Sequence, residues 1–75
     1  MQKNKRERFE EIASNRVNKV ILALQSLQKC SNTYNYEYNE EDVRKMLQAI
    51  RQQTEELKAA FDKGVSKRKI KSFKF

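Results

Sequence analysis

The sequence predicts an all-α protein: an antiparallel two-helix hairpin that pairs with a second copy to form a four-helix bundle. Three observations favour this fold class. The 75 residues include one glycine and no proline, which suits long helices and argues against sandwiches, barrels and glycine-rich nucleotide loops. Two segments carry apolar residues at intervals of three and four, the spacing of one helical face. One cysteine and no histidine leave neither an internal disulfide nor a zinc site to stabilise so small a domain.

The first predicted helix covers about residues 6–29. Glutamates crowd its first turns, where negative charge favours the helix dipole, and a lysine lies at its other end. Leu22 falls on the opposite side of the helix from the apolar stripe, among polar residues. The stripe itself consists of Phe9, Ala13, Val17, Val20, Leu24 and Leu27.

The second predicted helix covers about residues 40–63. Asn39 is a favourable N-cap, and three acidic residues follow it in the first turn. Gly64 stands where a left-handed C-cap is expected, so we expect the helix to end at Lys63. The apolar stripe consists of Val43, Leu47, Ile50, Thr54, Leu57 and Phe61.

The two helices have matched lengths of about 36 Å at 1.5 Å per residue, which favours a hairpin closed by the connector at residues 30–39. A hairpin alone would bury one coiled-coil-like seam. Further apolar residues lie beside or opposite the stripes, and they would be covered in a homodimer. These are Ile12, Ile21, Leu22 and Met46.

The connector contains Tyr34, Tyr36 and Tyr38 in alternation with polar residues, which is the period of an extended segment. Two interpretations stay open. The rings could cover the open end of the hairpin core, or they could form an aromatic platform for bases or for a protein partner. With Leu22, the three tyrosines are the candidate protein-binding residues.

The net charge of +7 is concentrated at one end of the sequence. The hairpin region, residues 1–62, holds 11 basic and 10 acidic side chains, whereas residues 63–75 hold six basic side chains and no acidic one. Such a segment is a stronger electrostatic signal than a high overall charge, because screening limits potentials to about 8 Å at physiological salt. The simpler interpretation is a solvated tail that aids solubility. The candidate nucleic-acid-binding cations are Lys63, Lys67, Arg68, Lys69, Lys71 and Lys74.

The same tail contains Phe73 and Phe75, which would share one face of an extended segment with Lys74 on the other. Cations interleaved with aromatic rings suit phosphate contacts and base stacking. They equally suit strand addition to a partner's sheet or insertion of a ring into a pocket. The rings could instead fold back over the hairpin.

Catalysis is not expected. There is no histidine to act as a general base or to activate Cys30, which we expect to be a small buried residue at the helix end. Neighbouring acids such as Glu55 and Glu56 point about 100° apart on a helix and form no carboxylate pair. No metal or other cofactor is expected. The sequence has no apolar run long enough to span a membrane and no signal-peptide pattern, so we expect a cytoplasmic protein.

Several short motifs occur together along the chain: Arg8-Phe9 with Ala13, Arg16-Val17-Asn18-Lys19, Ser31-Asn32, Asn35-Tyr36-Glu37-Tyr38, Glu40-Glu41-Asp42-Val43, Ala60-Phe61 and Phe73-Lys74-Phe75. In these the chain resembles short, uncharacterised proteins carried by bacterial phages and integrated mobile elements, over nearly its whole length. The resemblance carries over no functional residue. It implies a small accessory or regulatory protein that acts on nucleic acid or on a host defence complex.

Three functional hypotheses follow. The first is a dimeric helical hairpin that binds DNA or RNA through its basic tail. The second is a module that binds a larger protein or nucleoprotein, such as a host nuclease. The third is a purely structural subunit of a helical bundle. Salt-dependent nucleic-acid binding separates the first from the others.

Overall fold

The computed structural model describes the backbone of residues 4–71 and the side chains of residues 4–67. It contains two α-helices, α1 at Lys5–Gln28 and α2 at Glu40–Lys71, with a short 3₁₀ segment at Lys29–Ser31. No strand occurs among these residues. The all-helical class is therefore confirmed, and so are the start of α2 and, to within one residue, both ends of α1.

Side-chain caps define the starts of both helices. The Asn4 side chain accepts a 2.8 Å hydrogen bond from the backbone N–H of Glu7 at the start of α1. At α2, Asn39 and Asp42 cap each other. The Asn39 Oδ1 accepts from the Asp42 N–H at 2.9 Å, and the Asp42 Oδ2 accepts from the Asn39 N–H at 3.0 Å. Each cap satisfies backbone donors that the helix leaves without a partner, so short sequence motifs suffice to start both helices.

The predicted end of α2 is wrong. The helix does not stop at Lys63 but continues through Gly64 to Lys71, and no described residue has a positive φ angle. Gly64 is thus an interior helical residue and not a left-handed cap. Glycine costs about 1 kcal/mol relative to alanine inside a helix, which is tolerable where no proline follows and where Lys67, Arg68 and Lys69 are good helix formers.

The connector contains a turn at residues 33–35, where tyrosine alternation suggested an extended segment, and residues 36–39 have no regular secondary structure. The carbonyl of Asn32 accepts hydrogen bonds from the N–H of Asn35 at 3.2 Å and of Tyr36 at 3.0 Å. The side chain of Asn32 also accepts from the Tyr34 N–H at 2.9 Å. An asparagine that bonds the backbone two residues ahead is a strong local turn former, and this overrides the period-two pattern.

The two apolar stripes lie on helical faces, but none of the described residues is buried. Four stripe members are partly shielded, two on each helix: Ala13, Leu27, Val43 and Ile50. The chain divides after Glu37 into two units, and contacts between described residues are local, with none between positions twelve or more apart. The hairpin and its dimer therefore stay predictions.

We expect Gly64→Ala to stabilise α2 by about 0.5–1 kcal/mol, because a helical glycine gives up more backbone freedom than alanine does. A Cβ added at this position meets nothing within 4 Å. Thermal unfolding followed by far-ultraviolet circular dichroism measures the change.

Gly64→Pro is the matched control and should reduce helicity, since proline removes a hydrogen bond from a helix interior. Destabilisation by Gly64→Ala would contradict the helical assignment, because alanine is unfavourable only where the backbone is left-handed.

Candidate nucleic-acid interface

The predicted cations at positions 63–71 lie in the C-terminal part of α2. Asp62 is the last acidic residue in the sequence, and its carboxylate already pairs with the Lys58 Nζ at 2.8 Å. Beyond it Lys63 and Lys67 are exposed, and the next predicted cations, at positions 68, 69 and 71, lie in the same helix. Phe73, Lys74 and Phe75 lie outside the described residues. For the part that the structure describes, the basic tail is a helix and not an extended strand.

The helical backbone spaces these cations differently from a strand. Positions 63, 67 and 71 follow at intervals of four, so successive positions are about 6 Å apart along one side of the helix at 1.5 Å per residue. Positions 68 and 69 lie elsewhere around the axis. This stretch of nine residues is about 13 Å long. It therefore forms a short cationic rod.

Cations elsewhere in the chain are partly neutralised by local ion pairs. Arg6 pairs with Glu10 at 2.8 Å, and the Arg44 guanidinium pairs with Glu41 at 2.9 Å. All these side chains are more than half exposed, so the pairs add little to stability. Their effect is on the distribution of charge: the first 62 residues have a nearly balanced field, and positive potential is concentrated near the end of α2.

Val65 is an exposed apolar residue of α2 that sequence reasoning left out of the stripe. It follows Phe61 by four residues and is 54% exposed, so it extends the apolar stripe of α2 by one turn. The four-residue interval from Phe61 to Val65 could be seen in the sequence. Val65 was left out because Gly64 was interpreted as the end of the helix. An apolar face thus runs directly into the cationic part of α2.

The three connector tyrosines are not equivalent. Tyr34 is 96% exposed, whereas Tyr36 and Tyr38 are about half exposed. The Asn32 turn holds Tyr34 at its tip, with the ring in solvent. The three rings thus differ in exposure, and their roles as a lid over the hairpin core or as an aromatic platform stay predictions.

Leu22 lies on the polar side of α1 and is 64% exposed, as its position opposite the stripe predicts. Cys30 is also exposed, in the 3₁₀ segment. The expectation of a buried Cys30 is wrong, because α1 ends at Gln28 and Cys30 lies in the exposed 3₁₀ turn that follows.

Within residues 4–67 no cluster of three or more histidine, cysteine, aspartate or glutamate side chains could hold a metal ion. Neither helix, in its described part, has an apolar stretch that could cross a membrane. No family model, curated protein or solved structure matches the chain.

We expect Tyr34→Ala to change the free energy of unfolding by no more than about 0.5 kcal/mol, because a fully exposed side chain leaves no cavity. Urea unfolding of the full chain measures it. Tyr38→Ala is the matched control in the same connector and should cost more, since Tyr38 is more than half covered. A larger loss for Tyr34 than for Tyr38 would show that Tyr34 packs in solution.

Proposed function

We propose that this protein is a small, non-enzymatic accessory or regulatory protein of a mobile element that binds nucleic acid through its basic segment, residues 63–75. One observation supports this most strongly: α2 continues past its last acidic residue for nine helical residues, 63–71, with only cations for charge. A cytoplasmic location accompanies this proposal.

Helical presentation favours a duplex as the ligand. The major groove of B-DNA is about 12 Å wide and admits an α-helix, whereas the deep, narrow groove of A-form RNA does not admit side chains readily. Lysines act as point charges on phosphates and carry little sequence information. Duplex DNA bound without strong sequence preference is therefore the ligand we propose, and single strands stacked on Phe73 and Phe75 are the alternative.

The fold that we propose for the functional protein is the antiparallel hairpin in a homodimer. Each helix has an apolar stripe of the same extent, 19 residues from first to last predicted member. Within the α2 stripe, the hydroxyl of Thr54 donates to the carbonyl of Ile50 at 2.9 Å. That bond satisfies the only polar group in the stripe, so the stripe can be buried against another helix at little cost.

We expect Val20→Ala and Ile50→Ala to be energetically coupled. Antiparallel pairing of Leu27 with Val43 would also bring Val20 next to Ile50, and contacting residues show coupling energies of about 0.5–3 kcal/mol in double-mutant cycles. The free energies of unfolding of the two single variants and the double variant give this value. Val20→Ala with Leu57→Ala is the control pair. Additive effects for both pairs would contradict the hairpin.

We expect duplex binding to weaken as salt rises, with log K falling against log salt by a slope of at most about −5 per protomer if six phosphates are neutralised. Lys63→Gln with Lys67→Gln should make the slope shallower by about 2, from about 0.9 per phosphate contact. Fluorescence anisotropy of a labelled DNA duplex, titrated at several salt concentrations, measures both slopes.

The matched control is Lys58→Gln with Asp62→Asn, which removes a cation together with the anion that it already contacts. It leaves the net charge unchanged, and we expect no change in slope. Phe73→Ala with Phe75→Ala should affect single strands only, by about 1–3 kcal/mol per stacked base. If truncation after Asp62 leaves duplex affinity intact, the proposal is wrong.

A protein-binding module that modulates a nucleoprotein complex is the second candidate. The observation that favours it is the exposure of two bulky groups, Leu22 on the polar side of α1 and Tyr34 at the tip of the connector. Leu22→Ala or Tyr34→Ala would then reduce partner binding without changing helicity or the salt slope on DNA.

A further inference from the structure

The cations at positions 63–71 are distributed unequally around α2. Successive residues of a helix are about 100° apart around its axis, so Lys63 and Lys71 each lie about 40° from Lys67. These three lysines are called the Lys63 row. Lys69 lies about 160° from Lys67, on the opposite side of the helix, and Arg68 lies about 100° from it. Three of the five cations in this stretch therefore share one side of α2.

The side of α2 that carries the Lys63 row has no acidic residue nearby to neutralise it. Lys63 and Lys67 are exposed, and neither forms an ion pair with another described residue. Glu56 lies on the same side, about 20° from Lys67. It is two turns before Lys63, about 10 Å along the axis, and charges are screened over about 8 Å at physiological salt. The charges of the row are thus available to an anionic ligand.

The opposite side of α2 is less suited to phosphate contacts. Asp62 lies about 140° from Lys67 and only about 20° from the line of Lys69. Its carboxylate contacts the Lys58 Nζ at 2.8 Å. Val65, about 160° from Lys67, is 54% exposed on this side. A duplex that approached here would bring its phosphates toward a carboxylate, which repels them, and toward an apolar side chain, which offers no hydrogen bond.

The length of the Lys63 row suits contacts with several phosphates. Its first and last positions are eight residues apart, about 12 Å along the helix axis. Each strand of duplex DNA has one phosphate per about 3.4 Å of its own axis, so each lysine of the row can meet a different phosphate. Because a straight helix turns only one side toward a duplex, contacts by this row leave Lys69 directed away from it.

We propose that the Lys63 row is the face of α2 that contacts the phosphates of duplex DNA, and that Lys69 makes no phosphate contact. The three lysines of the row would contribute about −2.7 to the slope of log K against log salt, from about −0.9 per phosphate. This inference rests on the proposed nucleic-acid binding, and it adds which side of the helix meets the duplex.

The first test compares two lysines of the full chain that are two residues apart. Lys67→Gln should make the salt slope shallower by about 0.9, the value for one phosphate contact. Lys69→Gln removes the same charge from the opposite side and should leave the slope unchanged. Fluorescence anisotropy of a labelled duplex at several salt concentrations gives both slopes, and circular dichroism checks helicity. Equal effects of the two variants would overturn the one-sided face and leave nucleic-acid binding in place.

A second test adds charge instead of removing it and uses two adjacent exposed glutamates. Glu56→Lys extends the Lys63 row toward the start of α2 and should steepen the slope by about 0.9. Glu55→Lys makes the same change in net charge about 120° from Lys67 and should leave the slope unchanged. A steeper slope for Glu55→Lys than for Glu56→Lys would place the contact face elsewhere and overturn the proposal. A parent chain that binds no duplex would refute the proposed function, and this face with it.

Discussion

The exposed apolar faces of α1 and α2 are the constraint on which the rest of this molecule depends. Capping and local ion pairs act within four residues along the chain, and they can start a helix but cannot remove an apolar stripe from water. Isolated helices are marginal in water, and most helical stability in proteins comes from packing of the apolar face. No side chain in the described part of the chain is buried, so packing of the apolar faces is the contribution that the local caps and ion pairs do not supply.

This constraint also accounts for the side chains that have no obvious role in a single helix. The Thr54 hydroxyl donates to the backbone carbonyl of Ile50, one turn earlier in α2, so its proton is already hydrogen-bonded within the helix. Met46 and Ile21 lie at the margins of their stripes, and both are more than 40% exposed. The apolar stripes cover most of each helix, and on α2 the stripe, with Val65 at its end, overlaps the cations that begin at Lys63.

The arrangement of charge follows from sequence spacing. Acids placed three or four residues from cations, such as Glu41 with Arg44 and Asp62 with Lys58, neutralise them locally. No acid follows Asp62, so the cations beyond it have no such partner within reach along the helix. Local pairing of acids with cations thus leaves residues 1–62 nearly neutral and residues 63–75 positively charged.

Local interactions could be predicted from the amino-acid sequence alone. Asn39 with Asp42 three positions later specifies the start of α2, because both hydrogen bonds lie within one turn. The stripes, the exposure of Leu22 and the concentration of charge follow equally from spacing. Sequence patterns that are compatible with two backbone conformations did not give a correct prediction. The alternation of Tyr34, Tyr36 and Tyr38 suggested a strand, although Asn32 forms a turn.

The sequence by itself determined two capped helices with matched apolar stripes and a cationic end, because each of these depends on contacts between residues at most four apart. The three-dimensional structure decided the path of the backbone at Gly64 and the surroundings of the connector side chains. Glycine is compatible with both the left-handed cap and the helix interior, so the residue type does not select between them. The helical conformation of the residues after Gly64 makes the choice. It shows that Val65 and the first basic residues belong to the same continuous helix, α2.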